Sequence, residues 1–367
     1  MADPTSPARR PVTTPARRRH PRLRAGGSWP SVSVVMPILD EEDYLATAVE
    51  RVFAQRYPGE FEVVLALGPS RDGTDRIAAE VAAREPRLTL VHNPTGATPA
   101  GLNTAIQAAH HDVIVRVDGH GFLSPGYIAR AVELLDEVDA DNVGGLMAAE
   151  GTGPFQQAVA RAMTTSFGIG GERFHVGGEA GPVDSVYLGV FRRTTLLELG
   201  GYDETYRRAQ DWELNYRIRA NGGQVWFSPD LRVTYRPRGS WTSLRRQFYR
   251  TGQWRRVVSR LNPGSATWRY LAPPLATIAI ALGTVVGLLG LLASLPVLLL
   301  GFAAPIGYLV TLLIGSVISG RGLPAAARAW LPLVIGTMHV SWGLGFICSP
   351  RALVHESRAG RTARRAG

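Results

Sequence analysis

The sequence predicts an α/β domain on a parallel, doubly wound sheet, followed by a C-terminal region of membrane-spanning helices. Three observations predict it. Over residues 31–117 short apolar runs alternate with helical stretches, the pattern of consecutive βαβ units. The run VIVRVDGH at 113–120 then ends abruptly in Asp118, Gly119 and His120, which puts a carboxylate and an imidazole at the end of a buried strand. Residues 270–320 contain no charged side chain, too long for one span and sufficient for two.

Taken in order, the chain opens on an arm, 1–28, in which Arg9, Arg10, Arg17, Arg18, Arg19, Arg22 and Arg24 crowd among Pro, Thr and Ala. Such a segment is expected to be disordered. It lacks the apolar h-region of a secretory signal. Arginines beside an anionic leaflet contribute roughly 1 kcal/mol each, so membrane lipid is the expected partner, ahead of nucleic acid, which is not expected. Strands follow at 31–37, 61–67, 88–91 and 113–117, with helices at 44–54, about 74–84 and 102–109. Ligands of such sheets sit beyond the carboxyl ends of the strands, where Pro37, Gly68 and Asp118 fall.

Several chemistries are excluded. There is no GxGxxG after the first strand and no GxxxxGK[ST], so a dinucleotide-dependent oxidoreductase or P-loop NTPase is not expected. All 40 basic residues are arginine, which removes Schiff-base lysine mechanisms, and the single Cys348 rules out an internal disulfide. What remains is a pair, Asp118 and His120, able to hold one divalent cation, although Asp-Gly after a strand is also an ordinary turn signal. Asp72, with Gly73 and Thr74, looks like a turn feeding a helix N-terminus, suited to anions and equally to plain capping.

From 142 to 237 the chain is less regular and Gly-rich, with 171–185 reading as a long loop. Asp211 then opens a helical stretch. The basic, aromatic segment 243–260 places Gln247, Arg250 and Trp254 at i, i+3 and i+7, on one helix face. A basic amphipathic helix lying on the membrane is the competing reading, and the two are compatible.

The membrane region, 263–350, holds two to three hydrophobic segments: two spans broken near Ser294, Leu295 and Pro296, and a third at about 329–348. Arginines before the first span put the large domain on the cytoplasmic side. Three spans would export the basic tail, 351–367, against that same rule. Either the third segment is re-entrant or interfacial, or the rule fails here. His339 within it is either a hydrogen-bonded structural group or a contact for lipid phosphate.

Eight ordered pieces, VSVVMPILDEEDYL, VLALGPSRDGTD, GLNTAI, VIVRVDGHG, VDSVYLGVFRR, GGYDE, QDWELNYRIRANGG and RRQFYRTGQW, cover roughly 31–262. In this order the chain resembles the inverting family-2 glycosyltransferases, specifically the membrane-attached branch similar to succinoglycan-biosynthesis glycosyltransferases. The resemblance implies a GT-A type, Rossmann-like, mostly parallel sheet over 29–262, with a nucleotide-binding half to about 120 and an acceptor half after it. It implies that Pro37, Asp40, Glu41 and Asp72 line the nucleotide pocket with Asn103 on its edge. Asp118 and His120 take the place of the metal site for Mg²⁺ or Mn²⁺, and Asp211 that of the catalytic base. Gln247, Arg250 and Trp254 look like a spaced variant of the element near the donor diphosphate. Two positions depart from the pattern: His120 replaces a carboxylate, and Leu67 stands where many relatives keep an acid that reads the nucleobase. The implied activity is sugar transfer from a nucleotide-diphosphate sugar to a lipid-linked or polysaccharide acceptor in cell-envelope glycan synthesis. A polyprenyl-phosphate sugar synthase and a non-catalytic membrane-anchored scaffold are the alternatives.

Overall fold

A computed structural model of the 367-residue chain describes residues 17–262 and 268–354. The nucleotide-side half runs β1 (Val32–Ile38), α1 (Leu45–Phe53), β2 (Phe61–Leu67), α2 (Thr74–Ala82), β3 (Leu88–His92), α3 (Thr98–Ala108) and β4 (Val113–Arg116). β1, β2 and β4 are almost wholly buried, as parallel strands covered by helices on both faces must be, whereas β3 at the sheet edge is buried only at Leu88. Expected and observed boundaries agree to a few residues; α3 starts four residues before the expected Leu102, because Pro99 suits a first helical turn.

The second half comprises β5 (Phe122–Leu123), α4 (Tyr127–Glu137), β6 (Asn142–Ala149), α5 (Pro154–Met163), α6 (Ser166–Ile169), α7 (Arg173–Val176), β7 (Gly181–Pro182), β8 (Tyr187–Arg192), α8 (Arg193–Glu198), α9 (Gln210–Ala220) and β9 (Val225–Tyr235). The expected long loop at 171–185 therefore carries a helical turn, and its Gly181–Pro182 pairs antiparallel with β9.

All the strands join one sheet in the order β3-β2-β1-β4-β8-β6-β9-β5, with β7 on β9. β3, β2, β1 and β4 are mutually parallel, and β8 runs antiparallel to both β4 and β6. One face is packed by α1, α2 and α4 through Leu45, Ala78 and Ile128. The other is packed by α3, α8 and α9 through Leu102, Leu196 and Leu214.

The chain then enters α10 (Trp241–Leu261), α11 (Trp268–Leu292), α12 (Ala303–Ser319) and α13 (Ala325–Ile347). Three apolar helices are long enough to cross a membrane, Tyr270–Leu292, Pro296–Ser319 and Ala325–Ile347. The break at Ser294, Leu295 and Pro296 falls where the sequence puts it. Within the protein the first two spans are 11% and 6% buried and the third 50%, so the third is the one that docks on the domain. Leu244 and Phe248 of α10, Val159 and Met163 of α5, and Val334 and Met338 of α13 share one core. α10 is thus clamped to α13 as well as being basic and amphipathic. His339 is a structural group: Nδ1 lies 3.2 Å from Tyr308 Oη and Nε2 lies 2.9 Å from Phe167 O.

From residue 17 onward the arginine-rich arm lies against the domain. Arg17 donates to Val138 O at 2.8 Å, the Leu23 amide to Asp136 Oδ1 at 2.7 Å, and His20 Nε2 lies 3.0 Å from Asp141 Oδ1. The acid-rich turn at 136–141 supplies the acceptors that this arginine segment satisfies. Residues 1–16, and the tail from 355, lie outside the described residues.

Candidate functional site

The strand order reverses between β1, whose next partners lie to one side, and β4 on the other, so a crevice opens at their carboxyl ends. A cavity of about 1200 Å³ occupies it and continues to the membrane helices. Pro37 near the end of β1 and Glu41 in the loop after it line the cavity, with Asp118 and His120 from beyond β4 and Asp211 from the start of α9.

Arg116 ties this site together. It ends β4 with its side chain only 4% exposed, and a guanidinium so placed must be paired. Its Nε and Nη2 donate to Asp118 Oδ1 at 3.2 and 3.0 Å, while Nη1 donates to Asp211 Oδ1. Asp211 reaches this pair because Ala209, at the α9 N-cap, adopts a left-handed φ of 63°, a strained turn that opens the helix with Asp211 in its first turn. Burial raises the Asp211 pKa above the usual carboxylate range, and Arg116 opposes that rise. The Tyr202 hydroxyl, buried beside Arg116, is pushed up as well.

His120 is held by the loop after β1. Its Nδ1 lies 2.7 Å from Glu41 Oε1, a hydrogen bond that raises the imidazole pKa against the opposing effect of burial. Among the described residues this leaves Asp118 Oδ2 and His120 Nε2 without a protein partner. A carboxylate oxygen and a carboxylate-oriented imidazole are a donor set that fits a divalent cation.

The remaining sequence-predicted residues divide. Trp254, 8% exposed, lines the cavity and packs on Tyr206, with ring centroids 6.2 Å apart. Asp40, Asp72, Asn103, Gln247 and Arg250 are not among the lining residues. Asp40 Oδ1 accepts from the Arg71 amide at 2.8 Å, and Asp72 Oδ1 accepts from the Thr74 amide at 3.1 Å, so both carboxylates brace the loops after β1 and β2. The Thr74 contacts hold the Asp72 pKa below its ordinary value. Asn103 donates to Tyr202 O at 2.9 Å and Glu204 Oε1 at 2.8 Å, pinning the loop that leads to Asp211. Gln247 donates to Tyr235 Oη at 3.4 Å. Along α10 the cavity face is formed by Phe248, Thr251, Trp254 and Arg255, leaving Arg250 exposed to one side.

Sequence reasoning missed Arg116, Tyr187, Arg208 and Arg238, all of which line the cavity. Arg116 did carry a signal: a lone charge inside an otherwise apolar buried strand requires a partner.

The sequence matches the family described as Glycosyl transferase family 2 over residues 33–200. It is 30% identical over 318 residues to the succinoglycan biosynthesis protein ExoA of Rhizobium meliloti, covering 85% of this chain and 93% of that protein. It is 21% identical over 225 residues to a dolichyl N-acetyl-alpha-D-glucosaminyl phosphate 3-beta-D-2,3-diacetamido-2,3-dideoxy-beta-D-glucuronosyltransferase of Methanococcus voltae, covering 57% of this chain and 68% of that protein. Among solved structures, the mannosyltransferase PcManGT from Pyrobaculum calidifontis, in complex with GDP-Man and Mn²⁺, shares the fold. Its TM-score is 0.56 at 20% identity, over 87% of each chain. The mixed, mostly parallel sheet with its apolar C-terminal helices and the near full-length relationship to ExoA lead to one assignment: the chain belongs to glycosyltransferase family 2, transferases of polysaccharide and glycan biosynthesis on a GT-A type fold.

Proposed function

We propose that the enzyme transfers a sugar, with inversion, from a nucleotide-diphosphate sugar to a lipid-linked saccharide or polysaccharide acceptor in cell-envelope glycan synthesis. The observation that carries this reading is the convergence of Asp118, His120 and Asp211 on one cavity at the point where the strand order reverses. Asp211 accepts the proton of the acceptor hydroxyl as that oxygen bonds to the anomeric carbon. The bond from this carbon to the donor's diphosphate oxygen breaks, and its electron pair leaves with the nucleoside diphosphate. Burial makes Asp211 a better base than a surface aspartate, and Arg116 holds it in place.

Pro37 and Glu41 face the donor, while Asp40, Asp72 and Asn103 shape the loops around it. Of Gln247, Arg250 and Trp254 on α10, only Trp254 faces the donor cavity, and Gln247 and Arg250 support it from outside the lining. A divalent cation, Mg²⁺ or Mn²⁺, held by Asp118 and His120, supplies positive charge against the departing diphosphate. The GDP-Man and Mn²⁺ bound to the mannosyltransferase of the same fold support this part of the reading. The catalytic domain is placed on the cytoplasmic face of the cell membrane, with the chain multi-pass, supported by three apolar helices and the arginines that precede them.

The test is a panel of labelled nucleotide sugars with Mn²⁺ and purified full-length protein in native lipid, followed by mass spectrometry of the extracted lipid. The expected result is nucleoside diphosphate release and a product one sugar heavier. Asp211→Asn should lower transfer by about 10²–10⁴-fold without loss of fold. Absence of nucleoside diphosphate release with every donor would overturn the reading. Full transfer by Asp211→Asn would instead indicate a polyprenyl-phosphate sugar synthase, whose acceptor phosphate needs little base assistance.

A further inference from the structure

The cavity has two chemically distinct ends. At one lie Asp118, His120 and Asp211; at the other its walls are Phe167 of α6, Ala276 of α11, Tyr308 of α12, and Met338 and Trp342 of α13. Three of the helices at the second end are those long and apolar enough to cross a membrane. The one imidazole there, His339, has both ring nitrogens engaged, so this limb offers chiefly apolar surface.

The same cavity is lined by Arg207, Arg208 and Arg238, of which Arg238 lies near His120 and Arg208 near Arg238. Every carboxylate lining the cavity is already engaged: Asp118 and Asp211 with Arg116, Glu41 with His120, and Glu172 with Tyr270. The three guanidiniums form no ion pair or hydrogen bond among the described residues. Arg208 is half-buried, and burial together with the nearby guanidiniums of Arg250 and Arg238 pulls its pKa below the ordinary value. Arg207 and Arg238 are exposed at the cavity wall beside it, and clustered cations without counter-charge are stabilised by a bound polyanion.

We propose that this cavity binds a lipid phosphate as the acceptor's anchor, its phosphate or diphosphate among Arg207, Arg208 and Arg238 and its hydrocarbon chain in the limb between α6, α11, α12 and α13. The inference rests on the transferase reading above and narrows it, choosing a lipid-linked acceptor over a free polysaccharide. Charge complementarity selects the head, and the continuity of the limb with the apolar helices selects the chain. A headgroup held there presents its next hydroxyl toward Asp211, which lines the same cavity.

Binding can be measured on the full-length protein in detergent by native mass spectrometry. The probes are undecaprenyl phosphate, undecaprenol and inorganic diphosphate, with the nucleoside diphosphate followed separately by calorimetry. Undecaprenyl phosphate should bind tightest, with each half-probe weaker on the order of tenfold or more. The double variant R208Q/R238Q should weaken undecaprenyl phosphate by a similar factor and leave nucleoside diphosphate affinity unchanged. Ala276→Trp should weaken undecaprenyl phosphate and leave inorganic diphosphate unaffected. Equal loss of nucleoside diphosphate binding in R208Q/R238Q would assign the arginines to the donor and overturn the proposal. Equal affinity for inorganic diphosphate and undecaprenyl phosphate would overturn it too, by removing the chain from the site. Tight, arginine-dependent binding of undecaprenyl phosphate without sugar transfer from any donor would sustain this site and overturn the transferase reading alone.

Discussion

Arg116 and Asp211, 95 positions apart in the chain, form an ion pair in which the arginine also holds Asp118. One buried guanidinium thereby sets the relation between the candidate base and the candidate metal ligand. Arg116→Met should leave two carboxylates facing each other without a counter-charge. Breaking a buried pair costs about 3–5 kcal/mol, toward the lower end here because both carboxylates keep some solvent contact. We expect a clear drop in thermal unfolding temperature and loss of transfer. Asp118→Asn in the Arg116→Met background should recover part of the lost stability, and failure to do so would show that repulsion is not the cause.

Glu41 orients His120 through a 2.7 Å contact to Nδ1. Glu41→Gln should weaken Mn²⁺ affinity by about 10–100-fold, the usual effect of losing a carboxylate behind a metal-binding imidazole. Titrating Mn²⁺ by electron paramagnetic resonance, with unfolding temperature as the control, reads this directly. Unchanged affinity would separate Glu41 from the metal.

Burial pushes the His175 imidazole down to about 4. The folded protein therefore prefers the neutral ring, so its contribution is complete above the unfolded value near 6.5 and is lost as pH falls from there toward 4. The loss is up to about 1.4 kcal/mol per pH unit in that window. Comparing unfolding temperatures at pH 7.5 and 4.5, His175→Leu should show a smaller acid-induced drop than the parent chain. An identical drop in both would place the acid sensitivity elsewhere.

The crossing of α10 and α13 depends on two glycines. A Cβ on Gly252 would overlap Trp342 O, and one on Gly345 would overlap Tyr249 O. Gly252→Ala should destabilise by about 1–3 kcal/mol or more, because carbonyl backbone rather than a flexible side chain is in the way. Gly307→Ala, whose Cβ meets nothing within 4 Å, is the control and should be neutral or slightly stabilising. Unfolding temperature in one detergent decides between them.

Much of this protein is local in origin and was therefore legible in the linear chain. The apolar run of β2 at Phe61–Leu67 and the break at Ser294–Pro296 depend on hydrophobic periodicity and length, which neighbouring residues carry by themselves. Asp118, His120 and Asp211 could likewise be singled out, because each follows a recognisable strand end or helix start. The tertiary structure decided what those residues touch. Arg116 becomes a bridge only when α9 folds back over β4, and Asn103 becomes a brace only when the loop at Tyr202 meets α3. Arg250 and Trp254, equally placed on a helical wheel, part company because α13 and Tyr206 cover one side of α10 and not the other. Helical spacing specifies which residues share a face; only long-range packing specifies what that face meets. Ion pairs across 95 residues and a cavity running from the sheet to the membrane helices are therefore properties of the assembled chain.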